Sequence, residues 1–371
     1  FGCTNHPAFR DHCRDQVRKQ MTGGADGLHI DDHLGVAQAA TSAGGGLCDY
    51  CIAGFRDYLK KHASPDELAK AGVKNLDSFD YRDLIRKYAT TREQYLKVRR
   101  KIPLMDLFTK YHLESAAEFV RELGEIGAHA AGHPILLSAN APLHDDRHAL
   151  VTKYLTHVVC ETRFDARQGT AKLDGAISTF DAGHRLGKQV AVTAYGWDWS
   201  HIKATNAAEL VRFWIALTYA HGQWFMVPHP TRQWCFNRDL GTHWYQAPIE
   251  EFAPLYQFIR ANARWFDDFE AGDLSATAAT SSVICTVRRK GKEGPVIVHV
   301  INRNYDAAAD RMRPTQDVAV TLPAEAIKSL KEQVQLLSYD GKPQTASVQL
   351  QGDMVKIVIP HLRLWTLVAI E

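Results

Sequence analysis

The apolar positions of this chain fall into two regimes. As far as about residue 270, short and nearly continuous apolar runs alternate with stretches in which apolar residues recur every three or four positions. That spacing predicts a helix over 5–22, a strand over 27–31 and a long, polar, mostly helical stretch from about 52 to 131. Strands are expected at 134–139 (PILLSA), 157–161 (HVVCE), 189–194 (QVAVTA) and 223–227 (QWFMV), with helices at 170–186, 206–221 and 248–266. Short strands that are apolar on both faces and followed by helices indicate a parallel sheet covered on both sides. From about residue 280 the runs VICTVRR, GPVIVHVIN, DVAVTL, VQLLSYD, SVQLQ, MVKIVI and LWTLVAI alternate with turn residues and leave little room for helix. They predict a separate antiparallel domain, most simply a β-sandwich.

Composition adds limits rather than detail. With 371 residues, 45% of them hydrophobic and 23% charged, the chain is globular and long enough for one large domain and a small one. A formal charge of +2 gives no reason to expect nucleic acid or an anionic membrane as partner. No apolar run approaches the roughly 20 residues of a membrane span. Phe1 opens no signal peptide, so localisation is left open. Seven cysteines, an odd number thinly spread, do not make a disulfide framework.

Polar residues follow nearly every predicted strand: Asp31 and Asp32, then Asn140, Glu161, the Tyr195–Trp199 run, and His229 with Trp234. An open sheet gathers its ligand groups at one switch point, whereas a barrel distributes them around a ring at the C-terminal ends of its strands. The expected fold is therefore α/β, a (β/α)8 TIM-type barrel followed by an antiparallel β-sandwich. On this reading the five strands are numbers four to eight and the first three are missing from the chain, with truncation, proteolytic splitting and a partner segment or chain that supplies them equally open. Residues 1–272 would hold the barrel portion, with a long insertion after strand four at about 36–115, and 273–371 the sandwich.

Four segments carry a resemblance: GADGLHIDDH, LCDYCIAGFRDYLKKH, CETRF and PLYQFIRANARWFD. Their order resembles that of barrel-type glycoside hydrolases. The CxxC followed by AGFRDYL is similar to the loop after strand four in relatives of the barrel β-galactosidases. An acid at strand four, a Glu at strand six and a terminal sandwich resemble the dextranase and cycloisomaltooligosaccharide glucanotransferase family. The resemblance implies a retaining glycosidase acting on a poly- or oligosaccharide, with Asp31 as nucleophile and Glu161 as general acid/base. It implies no cofactor.

The residues support such chemistry independently. Glycosidic cleavage needs two carboxyl groups, one to protonate the leaving oxygen and one to attack or to activate water. Asp31 alternates with His29 at the end of its strand, and Glu161 ends an apolar strand in which a carboxylate has little structural reason to sit. Two other readings stand beside this one. The adjacent pair alone could serve a substrate-assisted N-acetylhexosaminidase mechanism, with Asp31 orienting the acetamido group and Asp32 acting as acid. A non-catalytic carbohydrate-binding protein could keep the same fold. Sugars stack on aromatic rings, which makes Tyr195, Trp197, Trp199 and Trp234 candidate platforms, with His29, His33, Asn140, Arg163, Asp198 and His229 as polar contacts. Trp224 is expected in the core, as are Trp214 and Trp265. Cys48 and Cys51 match half of a zinc site that Cys3 or Cys13 could complete. A local disulfide or free thiols fit the spacing equally well, and no metal is expected.

Overall fold

The computed structural model describes residues 2–143, 145–227, 249–271, 274–327 and 332–371. The chain folds as two compact units, Phe1–Val159 and Cys160–Glu371.

The first unit opens with α1 (Pro7–Thr22), whose proline sits in the first turn and whose cap is His6, its ring nitrogen accepting the Ala8 amide. Strand β1 (Gly27–Ile30) pairs in parallel with β2 (Leu136–Ala139), in the register Gly27↔Leu136, His29↔Ser138 and Ile30↔Ala139. A Cβ on Gly27 would lie 2.9 Å from the Leu136 carbonyl oxygen, so this pairing needs a glycine. Between the two strands run α2 (Val36–Ser42), α3 (Asp49–His62), α4 (Pro65–Lys70), α5 (Tyr81–Arg86), α6 (Arg92–Val98) and α7 (Met105–Ala131). Capping boxes Ser64/Glu67 and Thr91/Gln94 start α4 and α6. This excursion has a core of its own, in which Phe55 and Phe108 are fully buried and Tyr81 packs beside both. Short helix α8 (Ala149–Thr152) leads to β3 (His157–Thr162), which crosses from the first unit into the second.

In the second unit come α9 (Asp174–Arg185), β4 (Gln189–Ala194), α10 (Gly196–Thr205), α11 (Ala208–Ala220), β5 (Trp224–Phe225) and α12 (Ile249–Ala261). The strands are ordered β3–β4–β5, with β4 and β5 parallel in the register Ala191↔Trp224 and Val192↔Phe225. Helix α11 is buried on nearly every face, and its fully buried Trp214 stacks on Phe164, ring centres 4.9 Å apart. Trp265 is buried as expected, but Trp224 is not in the core: alternation along β5 turns Phe225 inward and leaves Trp224 46% exposed.

The rest of the second unit is antiparallel: β6 (Glu270–Ala271), β7 (Thr277–Ala278), β8 (Val283–Arg289), β9 (Val296–Asn302), β10 (Tyr305–Asp306), β11 (Arg311–Met312), β12 (Thr315–Pro323), β13 (Gln333–Ser338), β14 (Gln344–Gln351), β15 (Met354–Leu362) and β16 (Trp365–Ile370). Among the described residues, β10 and β11 pair only with each other; the other nine form one continuous sheet, β6–β8–β9–β16–β13–β14–β15–β12–β7, where two separate layers were expected. The reason lies in β14. Its residues Gln344–Ser347 pair with β13 and Val348–Gln351 with β15, so a single strand passes from one layer to the other. The sheet thereby curls around one aliphatic core that includes Val298, Val320, Leu336 and Ile357.

Within this unit His299 of β9 is fully buried, stacked on Trp365 and edged by Phe266, and neither ring nitrogen has a hydrogen-bond partner among the described residues. Burial, with the nearby charges of Arg288 and His221 as lesser causes, holds its pKa well below the usual value. Burial likewise pushes His221 down to about 4. The folded state thus keeps these rings neutral, while the unfolded chain binds protons below the ordinary histidine pKa of 6.5. Stability is full above that value and falls as the pH drops from 6.5 towards 4, with a slope of about 1.4 kcal/mol per pH unit for each such ring. Thermal melts between pH 7 and pH 5 should show this fall, and His299→Leu should flatten it. An unchanged slope in His299→Leu would rule out His299 as a source.

Candidate active site

In the first unit, Asp31 follows directly on β1 and Asn140 directly on β2. Parallel pairing of the two strands brings these residues together, and Asn140 Nδ2 donates to Asp31 Oδ1 at 3.4 Å. One step back, His29 faces Ser138 across the same pair, its Nδ1 lying 3.0 Å from Ser138 Oγ. Asp31 and Asp32 are both exposed. Asp32 adopts the left-handed conformation, φ +50°, one that short polar side chains tolerate better than most. Beyond it His33 turns into the interior.

His33 Nε2 lies 3.0 Å from His148 Nδ1. Burial first, and then the His148 ring, press the His33 pKa down to about 4 against the opposing pull of the Asn140 backbone and the Asp31 charge. His33 is therefore neutral at neutral pH. His148 in turn lies 3.7 Å from Asp145, whose carboxyl is held down to about 2, chiefly by its hydrogen bonds from Arg147. A polar chain Asp145–His148–His33 thus stands behind the segment that carries Asp31. Its outer members, Asp145 and His148, belong to no motif in the sequence.

In the second unit, β3 alternates cleanly. Cys160 and Thr162 are buried, and Thr162 Oγ1 lies 2.6 Å from Thr179 Oγ1 on α9. Glu161 is exposed on the opposite face of the strand. Tyr195, at the end of β4, lies within the field of Glu161: burial and then the Glu161 charge raise its phenol pKa, and Arg163 pulls the other way. Arg163 is exposed and donates from Nε to Asp165 at 2.6 Å.

The aromatic run after β4 starts α10, a helix ahead of the one expected at 206–221. Helical spacing splits it. Trp197 is 62% exposed and stacks on Tyr195, ring centres 4.4 Å apart and planes 24° from parallel, a flat apolar surface of the kind sugars bind. Trp199 is buried instead, donates Nε1–H to Thr193 Oγ1 at 3.1 Å and packs edge-on against Trp214 and Phe225, so it offers no face to a ligand. Asp198 is buried too. Its two oxygens accept the backbone amides of Phe164 at 3.0 Å and Ala166 at 2.8 Å, which ties down the turn that follows Glu161. His229 and Trp234 lie outside the described residues.

Among the described residues, His29, Asp31, Asp32 and His33 do not converge as ligands on one ion. No described helix is long and apolar enough to cross a membrane.

No family model matches the chain. It is 25% identical over 276 residues to an α-agarase of Thalassotalea agarivorans, an alignment that takes in 72% of this chain and 18% of that protein. The chain therefore spans less than a fifth of the length of this curated relative. Among solved structures, a Paenibacillus sp. cycloisomaltooligosaccharide glucanotransferase superimposes with a TM-score of 0.52 at 12% identity, covering 70% of this chain and 59% of that one. An α-L-fucosidase isoenzyme 2 from Paenibacillus thiaminolyticus gives 0.56 at 11% identity, covering 100% and 81%. In sequence and in fold, the chain is similar to glycoside hydrolases, in agreement with the resemblance carried by its motifs.

Proposed function

We propose that the chain is the catalytic part of a polysaccharide-cleaving glycosidase and that agarose is the first substrate to try. The similarity to an α-agarase across 72% of the chain carries this reading. Asp31 is assigned as nucleophile and Glu161 as general acid/base. In the first step Asp31 attacks the anomeric carbon while Glu161 gives its proton to the departing glycosidic oxygen. In the second step Glu161 takes a proton from water, which displaces the Asp31 ester and retains the configuration. Asn140 orients the attacking carboxylate through its amide, and the exposed Trp197–Tyr195 stack offers a platform for a sugar ring beside Glu161.

Release of reducing ends from agarose, dextran, and N-acetylated and uronic polysaccharides, measured on the full-length protein, tests the proposal. Cleavage of agarose alone supports it in full. Activity confined to N-acetylated polymers would replace it with the substrate-assisted mechanism of Asp31 and Asp32. Binding of agarose without any cleavage would make the protein a carbohydrate-binding module.

A further inference from the structure

The loop that follows β3 carries positive charge next to the proposed proton donor. Between residues 163 and 172 it holds three cations, Arg163, Arg167 and Lys172, against one carboxylate, Asp165. Arg163 gives its Nε–H to Asp165 Oδ1 at 2.6 Å, and Lys172 Nζ stands 3.4 Å from Asp165 Oδ2. Asp165 is thus shared between two cations, its own side chain only 11% exposed while both partners stay open to solvent. Among the described residues the two Nη groups of Arg163 have no acceptor. Held by Nε alone, the guanidinium keeps free the fork with which arginine grips two oxygens of one anion.

The loop is built to hold these groups still. Asp165 takes the left-handed conformation, φ +52°. The residues on either side of it, Phe164 and Ala166, give their amides to the buried Asp198 carboxylate, and the Phe164 ring is fully buried. Helix α9 comes so close that a Cβ on Gly175 would lie 2.7 Å from the Arg163 carbonyl oxygen. Ion pairs between exposed side chains contribute little to stability, so the pairing gives no reason of its own for a loop fixed this firmly. Its position supplies one. Arg163 follows β3 directly, two residues beyond Glu161, and both are exposed where the intervening Thr162 is buried. Tyr195 lies within the field of both, and the exposed Trp197 stacks on it.

We propose that Arg163, oriented by Asp165 and assisted by Lys172, binds an anionic substituent of the polysaccharide, a sulfate ester or a carboxylate, on the sugar held at Trp197 and Tyr195. This rests on the reading of the chain as a glycosidase, and it extends the ligand class from neutral agarose to charged galactans, which should bind more tightly.

The test measures binding apart from cleavage, by titrating the full chain, with Glu161→Gln as background where a ligand is cleaved. The probes are oligosaccharides of equal length from neutral agarose, from a sulfated galactan and from a carboxylate-bearing galactan. At least one charged set should bind about 10- to 100-fold more tightly than the neutral one, and which one does so names the substituent. The advantage should shrink as salt is raised. Arg163→Gln should remove the preference, and Arg163→Lys should restore only part of it, since the ammonium keeps the charge without the fork. Lys97→Gln, at a surface cation of α6, should leave the preference unchanged, and Trp197→Ala should weaken neutral and charged ligands alike. Neutral fragments that bind as tightly as both charged sets, a preference that survives in Arg163→Gln, or one that Lys97→Gln lowers as much, would each overturn the inference and leave the glycosidase reading standing. Failure of every oligosaccharide to bind would overturn that reading as well.

Discussion

Replacing Asp31 with Asn is expected to lower kcat/KM on agarose by about 10^4-fold, with the protein still folded. The amide matches the carboxylate in size, and its oxygen can still accept from Asn140 Nδ2, so the 3.4 Å contact and the β1–β2 register persist. What disappears is the proposed nucleophile. Glu161→Gln should cost about 10^2- to 10^4-fold, the usual range for a lost general acid, and its loss should depend on the substrate. An aryl glycoside whose leaving group departs without a proton should lose far less in the first step than agarose does. That difference separates a general acid from a residue that merely shapes the site. Trp197→Ala, by contrast, removes an exposed ring from its stack on Tyr195 and should act mainly on KM. Should Asp31→Asn and Glu161→Gln each keep more than a tenth of wild-type activity, the two-carboxylate assignment falls.

Asp198→Ala should be the most damaging polar substitution for stability. The buried carboxylate accepts two backbone amides, and both would lose their partner in a closed interior. Each buried donor left unsatisfied costs about 1–3 kcal/mol, so about 2–6 kcal/mol is expected in urea unfolding. Burial raises the Asp198 pKa above its ordinary value, against the two amide hydrogen bonds that lower it. The sign of the linkage follows. Stability from this group is complete below the unfolded pKa of 3.8 and declines as the pH rises through the higher folded value. Asp198→Asn avoids burying a charge and keeps one acceptor oxygen, so it should lose clearly less than the alanine variant at neutral pH. Equal losses in the two would show that the amide contacts contribute nothing.

How much of this was legible beforehand differs element by element. Strand 189–194 was readable to the residue, and β1, β2 and β3 nearly so, because a buried parallel strand must be apolar on both faces and therefore leaves a continuous run. Asp31 and Glu161 stood out by the same logic, as carboxylates placed where a strand gives them no structural purpose. The partnership of Asp31 with Asn140 was not legible, since it depends on the register of two strands more than a hundred residues apart in sequence. Composition favoured the whole Tyr195–Trp199 run as a binding surface. Only the start of α10 at Gly196 decided that Trp197 faces solvent while Asp198 and Trp199 turn inward, because a helix rotates each residue by 100° where a loop has no fixed period.

Local periodicity is enough to dictate the order of strands and helices and the change to antiparallel pairing in the last hundred residues. Tertiary structure alone decided that β14 joins two layers into one sheet, that Asp145 and His148 stand behind His33, and that Cys3 meets Cys48 and Cys51. Each of these rests on a long-range closure, whose geometry depends on how distant segments pack and leaves no periodic trace in the chain.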